Sequence, residues 1–381
     1  MQAKRLKHIK EYYFSTKLKE ITRLRNEGKP IINLGIGSPD LPPPEAVRET
    51  LAETALQAGT HQYQSYRGIS ELRQAIAGYY HRYFSVDLSP ENEILPLMGS
   101  KEGIMHISMT FLNPGDEVLL PDPGYMTYRA ATLLAGGKPV FYNLDEEHNY
   151  LPDLKALAQT DLSKVKLMWL NYPHMPTGAV ANKDFYRQLI AFAREHQILL
   201  VNDNPYSIIL NPQPMSILSI PGAKEIALEL NSLSKSHNMA GWRIGMLLGK
   251  QPYIDSVMKF KSQMDSGMFL GLQKAAVTAL NTSPEWFDKL NEIYSSRKKL
   301  VLKICEALNL QARPNQSGLF VWSKLPKGQN SRDFTDRLLK DQSIFITPGF
   351  IFGQDSDNYV RISLTNNETI LTETLNRIRS K

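Results

Sequence analysis

Lys235 is set among small hydroxylic residues in Asn231-Ser232-Leu233-Ser234-Lys235-Ser236-His237, and Arg243 follows eight positions later. A lysine amine is a nucleophile only when neutral, a state favoured by burial or by neighbouring positive charge. Ser232 and Ser234 offer hydroxyl donors, and Arg243 offers a planar fork that suits phosphate or carboxylate. A polar surface turn would use the same residue types, so this stretch alone leaves both roles open. Asn171, Asp203 and Lys235 share one property: each lies just past a predicted apolar strand or in the loop it feeds. Open α/β sheets bind ligands outside the carboxyl ends of their strands.

Two other stretches are built for close backbone approach. Ile31–Asp40 reads as a short strand entering the loop Gly35-Ile36-Gly37-Ser38-Pro39-Asp40, and Gly99-Ser100-Lys101 stands at a predicted helix start. Glycines in such loops admit a ligand or simply make a tight turn, and amides at a helix start can face an anion. Tyr63 and Tyr66 fall in a polar connector, where contact with a partner and edge packing are both open.

The elements that must hold these residues follow from periodicity. Strands are expected at Glu117–Leu120, Pro139–Asn143, Val165–Asn171 and Ile198–Asn202, with helices between them, including Lys183–Glu195. Near-continuous apolar strands alternating with helices predict a mainly parallel sheet covered on both faces, hence an α/β fold. Beyond Gly249 the pattern turns helical, with a long helix from Pro284 to about Leu308. Strands at Leu319–Ser323, Ile344–Pro348 and Tyr359–Ser363 then predict a smaller α+β unit. The expected division is an N-terminal segment 1–45 that contributes to the small domain, a large domain 46–283, and a small C-terminal domain 284–381. Apolar residues at helical spacing from Leu6 to Leu24 predict one helix or a pair over 4–27.

The 381 residues, 42% hydrophobic and 22% charged, fit an ordinary globular protein, and no apolar run has the length of a membrane span. The single cysteine, Cys305, excludes an intrachain disulfide, and the basic N-terminus lacks a secretory apolar core, so a reducing cytoplasm is expected. The net charge of +6 is matched by residues 1–30, which hold nine Lys/Arg against three Glu. Without basic runs interleaved with aromatics, nucleic acid is not an expected partner.

Taken together, the motifs Gly35–Asp40, Gly99-Ser100-Lys101, Asp122-Pro123-Gly124-Tyr125, Pro176-Thr177-Gly178, Asp203-Asn204-Pro205-Tyr206, Ser232-Leu233-Ser234-Lys235 and Arg361-Ile362-Ser363 make the chain resemble the class I/II aminotransferases. These are pyridoxal-phosphate enzymes of fold type I. Gly99–Gly103 and Asp265-Ser266-Gly267 resemble the branch holding LL-diaminopimelate and alanine aminotransferases. The resemblance implies pyridoxal 5'-phosphate bound covalently by Lys235, which then moves the proton of the substrate Cα. It implies Asp203 at the pyridine nitrogen, Tyr206 at the phenolic oxygen and Tyr125 on the ring face. Gly99, Ser100, Lys101, Ser232, Ser234 and Arg243 would hold the phosphate. Tyr63 would reach the partner subunit's phosphate in a homodimer with shared sites. Arg361, with the backbone of Ile36 and Gly37, would grip the substrate carboxylate. No metal enters the expected site.

One position departs from the family pattern. Met175 stands in Asn171-Tyr172-Pro173-His174-Met175-Pro176 where the family carries an asparagine beside the phenolic oxygen. A thioether donates no comparable hydrogen bond, so an altered substrate grip is expected, with His174, Asn171 or water as replacement donors. The resemblance implies transfer of an amino group between an L-amino acid and a 2-oxo acid. Carbon–sulfur β-elimination on the same scaffold is the alternative. A cofactor-binding regulatory module is disfavoured, because the 30 residues before Ile31 leave little room for a helix-turn-helix unit.

Overall fold

The computed structural model describes residues 2–7, 9, 11 and 13–380. Its centre is a seven-stranded sheet in the order Ile94–Leu97, Gly245–Leu248, Ala227–Ser232, Leu199–Asp203, Val165–Leu170, Glu117–Asp122, Lys138–Asn143. Gly245–Leu248 runs antiparallel to both its neighbours, and every other adjacent pair is parallel. Ala227–Ser232 and Leu199–Asp203 are buried at every position, as strands covered on both faces must be. Alternate residues feed two cores: Leu119, Met168 and Leu200 enter one, while Val118, Leu120, Leu167, Trp169 and Val201 enter the other.

The covering helices form where local chemistry favours them. Lys183–Glu195 starts at Asn182, whose side chain accepts a hydrogen bond from Phe185 N, and buries Phe185, Tyr186, Leu189, Ile190, Phe192 and Ala193. Cys305 is buried within the helix Pro284–Ala307. The expected N-terminal helical stretch is a short turn, Lys4–Leu6, followed by the helix Tyr13–Asn26. No helix among the described residues is long and apolar enough to cross a membrane.

Two strands of the large sheet escape the periodicity reading. Ile94–Leu97 contains Pro96 and Gly245–Leu248 begins at a glycine, both unfavourable strand signals. Pro96 is tolerated because its strand lies at the sheet edge. A second sheet is antiparallel, in the order Thr347–Pro348, Tyr359–Ser363, Phe320–Lys324, Gln311–Ala312. The two-residue strand Gln311–Ala312 is too short to show a period.

The chain's beginning is tied to its end. Ile32–Asn33 pairs in parallel with Ile344–Phe345, and Leu34 O accepts from Ser363 N at 2.8 Å. The loop that follows is held at Asp40, whose carboxylate accepts two bonds from Arg297, at 2.7 and 2.9 Å. Arg297 is 2% exposed and also donates to Leu364 O at 3.2 Å. Removing the carboxylate leaves the buried guanidinium with only the part-exposed Glu368, 4.0 Å from Nε, as an acidic neighbour among the described residues, so Asp40→Ala should cost about 2–3 kcal/mol, measured by denaturant unfolding. The double variant Asp40→Leu/Arg297→Met should recover part of that loss, because an apolar pair leaves no buried charge.

Candidate active site

Topology sets one edge of the large sheet. Ile94–Leu97 points the same way as Ala227–Ser232, because each is antiparallel to Gly245–Leu248 between them. The carboxyl ends of the first two therefore flank the beginning of the third, and Gly245 faces both Leu97 and Ser232. This register puts Gly99, Ser100, Ser232, Ser234 and Arg243 around one point. A Cβ on Gly99, whose φ is +91°, would lie 2.2 Å from Arg243 Nη2, and one on Gly245 would lie 2.7 Å from Ser100 N. Glycine is required at both. The helix Ser100–Phe111 begins here without a side-chain cap, leaving its first amides to face the cavity.

The cavity has a volume of about 570 Å³. Among the expected site residues, Ile36, Gly37, Ser100, Lys101, Tyr125, Met175, Asp203, Tyr206, Ser232, Ser234, Lys235, Arg243 and Arg361 line it. Gly99 stands just behind, against Arg243. Tyr63 does not line it: the ring is 91% exposed.

Asp203 ends the central strand Leu199–Asp203 and is 5% exposed. Its Oδ2 accepts from Tyr128 Oη at 2.9 Å, while Oδ1 is buried with no hydrogen-bond partner. Burial pushes the carboxyl up to about 7; Tyr128 acts against this, and the nearby Glu229 carboxylate adds to it. Lys235, one turn past the neighbouring strand, donates from Nζ to Gly37 O at 2.7 Å. Burial brings its amine down to about 8, helped by the positive charges of Arg361 and Arg243. At about 8 the amine is still mostly protonated at pH 7, and it loses its proton just above physiological pH rather than near 10. Tyr206 is buried and its hydroxyl stays protonated, because burial raises its pKa.

Arg361 comes from the antiparallel sheet, between Trp322 and Thr347 in the register. It donates from Nη2 to Gly35 O at 2.9 Å, and its Nη1 lies 3.2 Å from Met175 Sδ. Of the two side chains expected as substitute donors at Met175, Asn171 lines the cavity and His174 does not. Asn171 donates to Asp203 O and accepts from Met175 N, while His174 pairs through Nδ1 with Thr177 Oγ1 at 2.8 Å.

Tyr128, Phe14, Ser38 and Phe320 also line the cavity and were not anticipated. Tyr128 lies three residues beyond Tyr125, a helical spacing that could have identified it. Phe14 and Phe320 arrive from distant segments, and no local pattern marks them. Away from the cavity, Glu102, His106 and Asp265 gather closely, but His106 Nε2 bonds Glu102 and Lys261 neutralises Asp265, each at 2.8 Å. Two buried atoms of the cluster, His106 Nδ1 and Asp265 Oδ2, have no hydrogen-bond partner among the described residues.

A neutralisable lysine, an orphaned buried carboxylate oxygen and a glycine-lined anion cup fit pyridoxal phosphate. Each supplies what one end of that molecule needs: an amine for its aldehyde, an acceptor for a protonated ring nitrogen, donors for its phosphate. Fold and site together define a pyridoxal-phosphate enzyme of fold type I. Comparison with known proteins narrows the class. The model of aminotransferase class I and II matches residues 29–378. LL-diaminopimelate aminotransferase of Halothermothrix orenii is 40% identical over 380 residues, 99% of this chain and 98% of that protein. The same enzyme of Aquifex aeolicus is 40% identical over 378 residues, again 99% and 98%. Substrate-bound BacF from Bacillus subtilis superposes with a TM-score of 0.95 at 36% identity, covering 100% of this chain and 97% of that one. A Thermus thermophilus aspartate aminotransferase mutant gives 0.93 at 28% identity, covering 100% and 99%. The chain belongs to the class I and II aminotransferases and is a pyridoxal-phosphate-dependent aminotransferase.

Asp203 gives a pH test in the cofactor-free protein. Its folded pKa, about 7, exceeds the unfolded value of roughly 4. The neutral carboxyl therefore adds stability below roughly pH 4, and this is lost as pH rises towards 7. Thermal unfolding should show Asp203→Asn gaining on the wild type across that window and exceeding it at pH 7.5. A pH-independent difference between the two would contradict the assignment.

Proposed function

We propose that the cavity residues divide the work of amino transfer as follows. When bound, pyridoxal phosphate supplies an aldehyde for the amino group and a ring that accepts electrons as the substrate Cα is deprotonated. Lys235 would hold the cofactor and, as a free amine, would take the proton from the substrate Cα and deliver it to the cofactor carbon that carries the aldehyde. Asp203, through the oxygen that has no protein partner, keeps the ring nitrogen protonated. Tyr206 donates its hydroxyl to the phenolic oxygen, and Tyr125 covers a ring face. Ser100, Ser232, Ser234, Arg243 and the amides after Gly99 hold the phosphate. Arg361 binds the α-carboxylate, exchanging its bond to Gly35 O for a charge-assisted one.

The observation that carries this reading is the convergence of Lys235, Asp203 and Arg361 on one cavity, with the lysine amine brought down to about 8. The exposed Tyr63, outside its own chain's cavity, supports a homodimer in which each chain completes its partner's phosphate site. A cytoplasmic location belongs to the same proposal. The relatives' names supply a narrower reading, LL-diaminopimelate as amino donor.

Lys235→Ala should lower amino transfer to 2-oxo acids by at least about a thousandfold, with the unfolding midpoint of the cofactor-free protein little changed. Pyruvate release from cysteine derivatives without an acceptor, at a rate above amino transfer, would instead mark β-elimination.

A further inference from the structure

We propose that Glu229 is a buried anion set behind the cofactor seat, a positioning residue whose charge helps to keep the ring nitrogen protonated. The inference rests on the reading above that places that nitrogen at Asp203. Glu229 lies in the strand Ala227–Ser232 and is 0% exposed, enclosed by its own chain. It pairs with Asn202 in the register, next to the pair Leu230 and Asp203. Tyr80 Oη, at 2.8 Å, and Asn204 Nδ2, at 3.3 Å, donate to its Oε1. Ile217 N, at 3.0 Å, and Asn202 Nδ2, at 3.1 Å, donate to Oε2. All of these donors are uncharged, so dipoles rather than a cation hold the carboxylate.

Further partners fix the orientation of these donors. Asn202 Oδ1 accepts from Tyr172 N, which commits its amide nitrogen to Glu229. Asn204 Nδ2 also serves Met215 O. Asn231 Oδ1 accepts from Ser232 N, so its Nδ2 donates to Tyr80 Oη and the Tyr80 proton is left for Glu229. Burial holds that phenol well above its ordinary range, helped by the Glu229 carboxylate. A proton on either oxygen of Glu229 would therefore displace a donor. Burial raises the Glu229 carboxyl, and the bonds from Asn202, Tyr80, Ser216 and Ile217 oppose the rise; with donors on both oxygens, the ionised form is the one the network fits. A buried charge without a cation costs stability, which is offset where the charge is used. Asn202 and Asn204 flank Asp203 in the chain, and Glu229 adds to the rise of the Asp203 carboxyl. Negative charge on both residues favours a proton on a basic ring nitrogen beside Asp203.

The test is binding of pyridoxal phosphate and of its 1-deaza analogue, in which a ring CH replaces the nitrogen, to the cofactor-free protein. Both carry the aldehyde and the phosphate, so the ratio of their dissociation constants reports the nitrogen alone. Glu229→Gln should narrow the wild-type preference for pyridoxal phosphate by about fivefold or more. The pair Glu229→Met/Tyr80→Phe removes the charge without setting an amide among donors, and should narrow the preference by a similar factor. A network that only holds the strand ends would weaken both ligands alike, so an unchanged ratio in either folded variant would overturn the proposal. Asp203→Asn, measured beside them, should narrow the ratio too. If it did not while Glu229→Gln still did, the place of Asp203 at the ring nitrogen would fail and the buried anion would stand.

Discussion

Desolvation at the carboxyl ends of the central strands is the constraint on which the site depends. Strands buried on both faces cannot end in ionisable groups without cost, since a charge there has lost its water. Asp203 nevertheless ends one fully buried strand, and Lys235 follows its equally buried neighbour. Their proton affinities respond in opposite directions, the carboxyl rising to about 7 and the amine falling to about 8. Both shifts favour neutrality in the cofactor-free site. A ligand carrying an aldehyde, a basic ring nitrogen and an anionic tail would relieve each of them.

Architecture converts that local cost into a defined geometry. The reversed strand Gly245–Leu248 brings Arg243 back beside Ser100 and Ser232, which no all-parallel arrangement of these neighbours would do. The antiparallel sheet delivers Arg361, and the loop Gly35–Asp40 lies between the two sheets' contributions. Its carbonyls occupy both cations, Gly37 O on Lys235 and Gly35 O on Arg361. Arg297 anchors the far end of the loop through Asp40. Two cations that substrate and cofactor would need are thus held in place by backbone until then.

Much of this was legible in the chain. The long apolar strands Val165–Leu170 and Leu199–Asp203 and the helix Lys183–Glu195 carry enough period to be placed, and the ordered motifs indicate the family. The short strands Ile94–Leu97 and Gly245–Leu248 were not legible, because four residues containing a proline or opening on glycine show no pattern; their pairing is set by the sheet. Tyr128 was readable as a helical neighbour of Tyr125 and was missed. Phe14 and Phe320 meet Arg361 only through the tertiary fold, so their place in the cavity lining has no local signature. The departure at Met175 was visible, but its setting was not: Asn171 bonds Met175 N and Asp203 O at the cavity, His174 pairs through Nδ1 with Thr177, and the thioether faces the arginine.

The central claim is that Lys235 is the residue that holds the cofactor. Borohydride reduction of the purified holoenzyme, followed by proteolysis and mass mapping of the pyridoxyl label, tests it directly. The label should fall on the peptide containing Lys235, and treatment of Lys235→Ala should leave that peptide unlabelled. Stoichiometric labelling of Lys101 or any other lysine in the wild type, with Lys235 unmodified, would contradict the account.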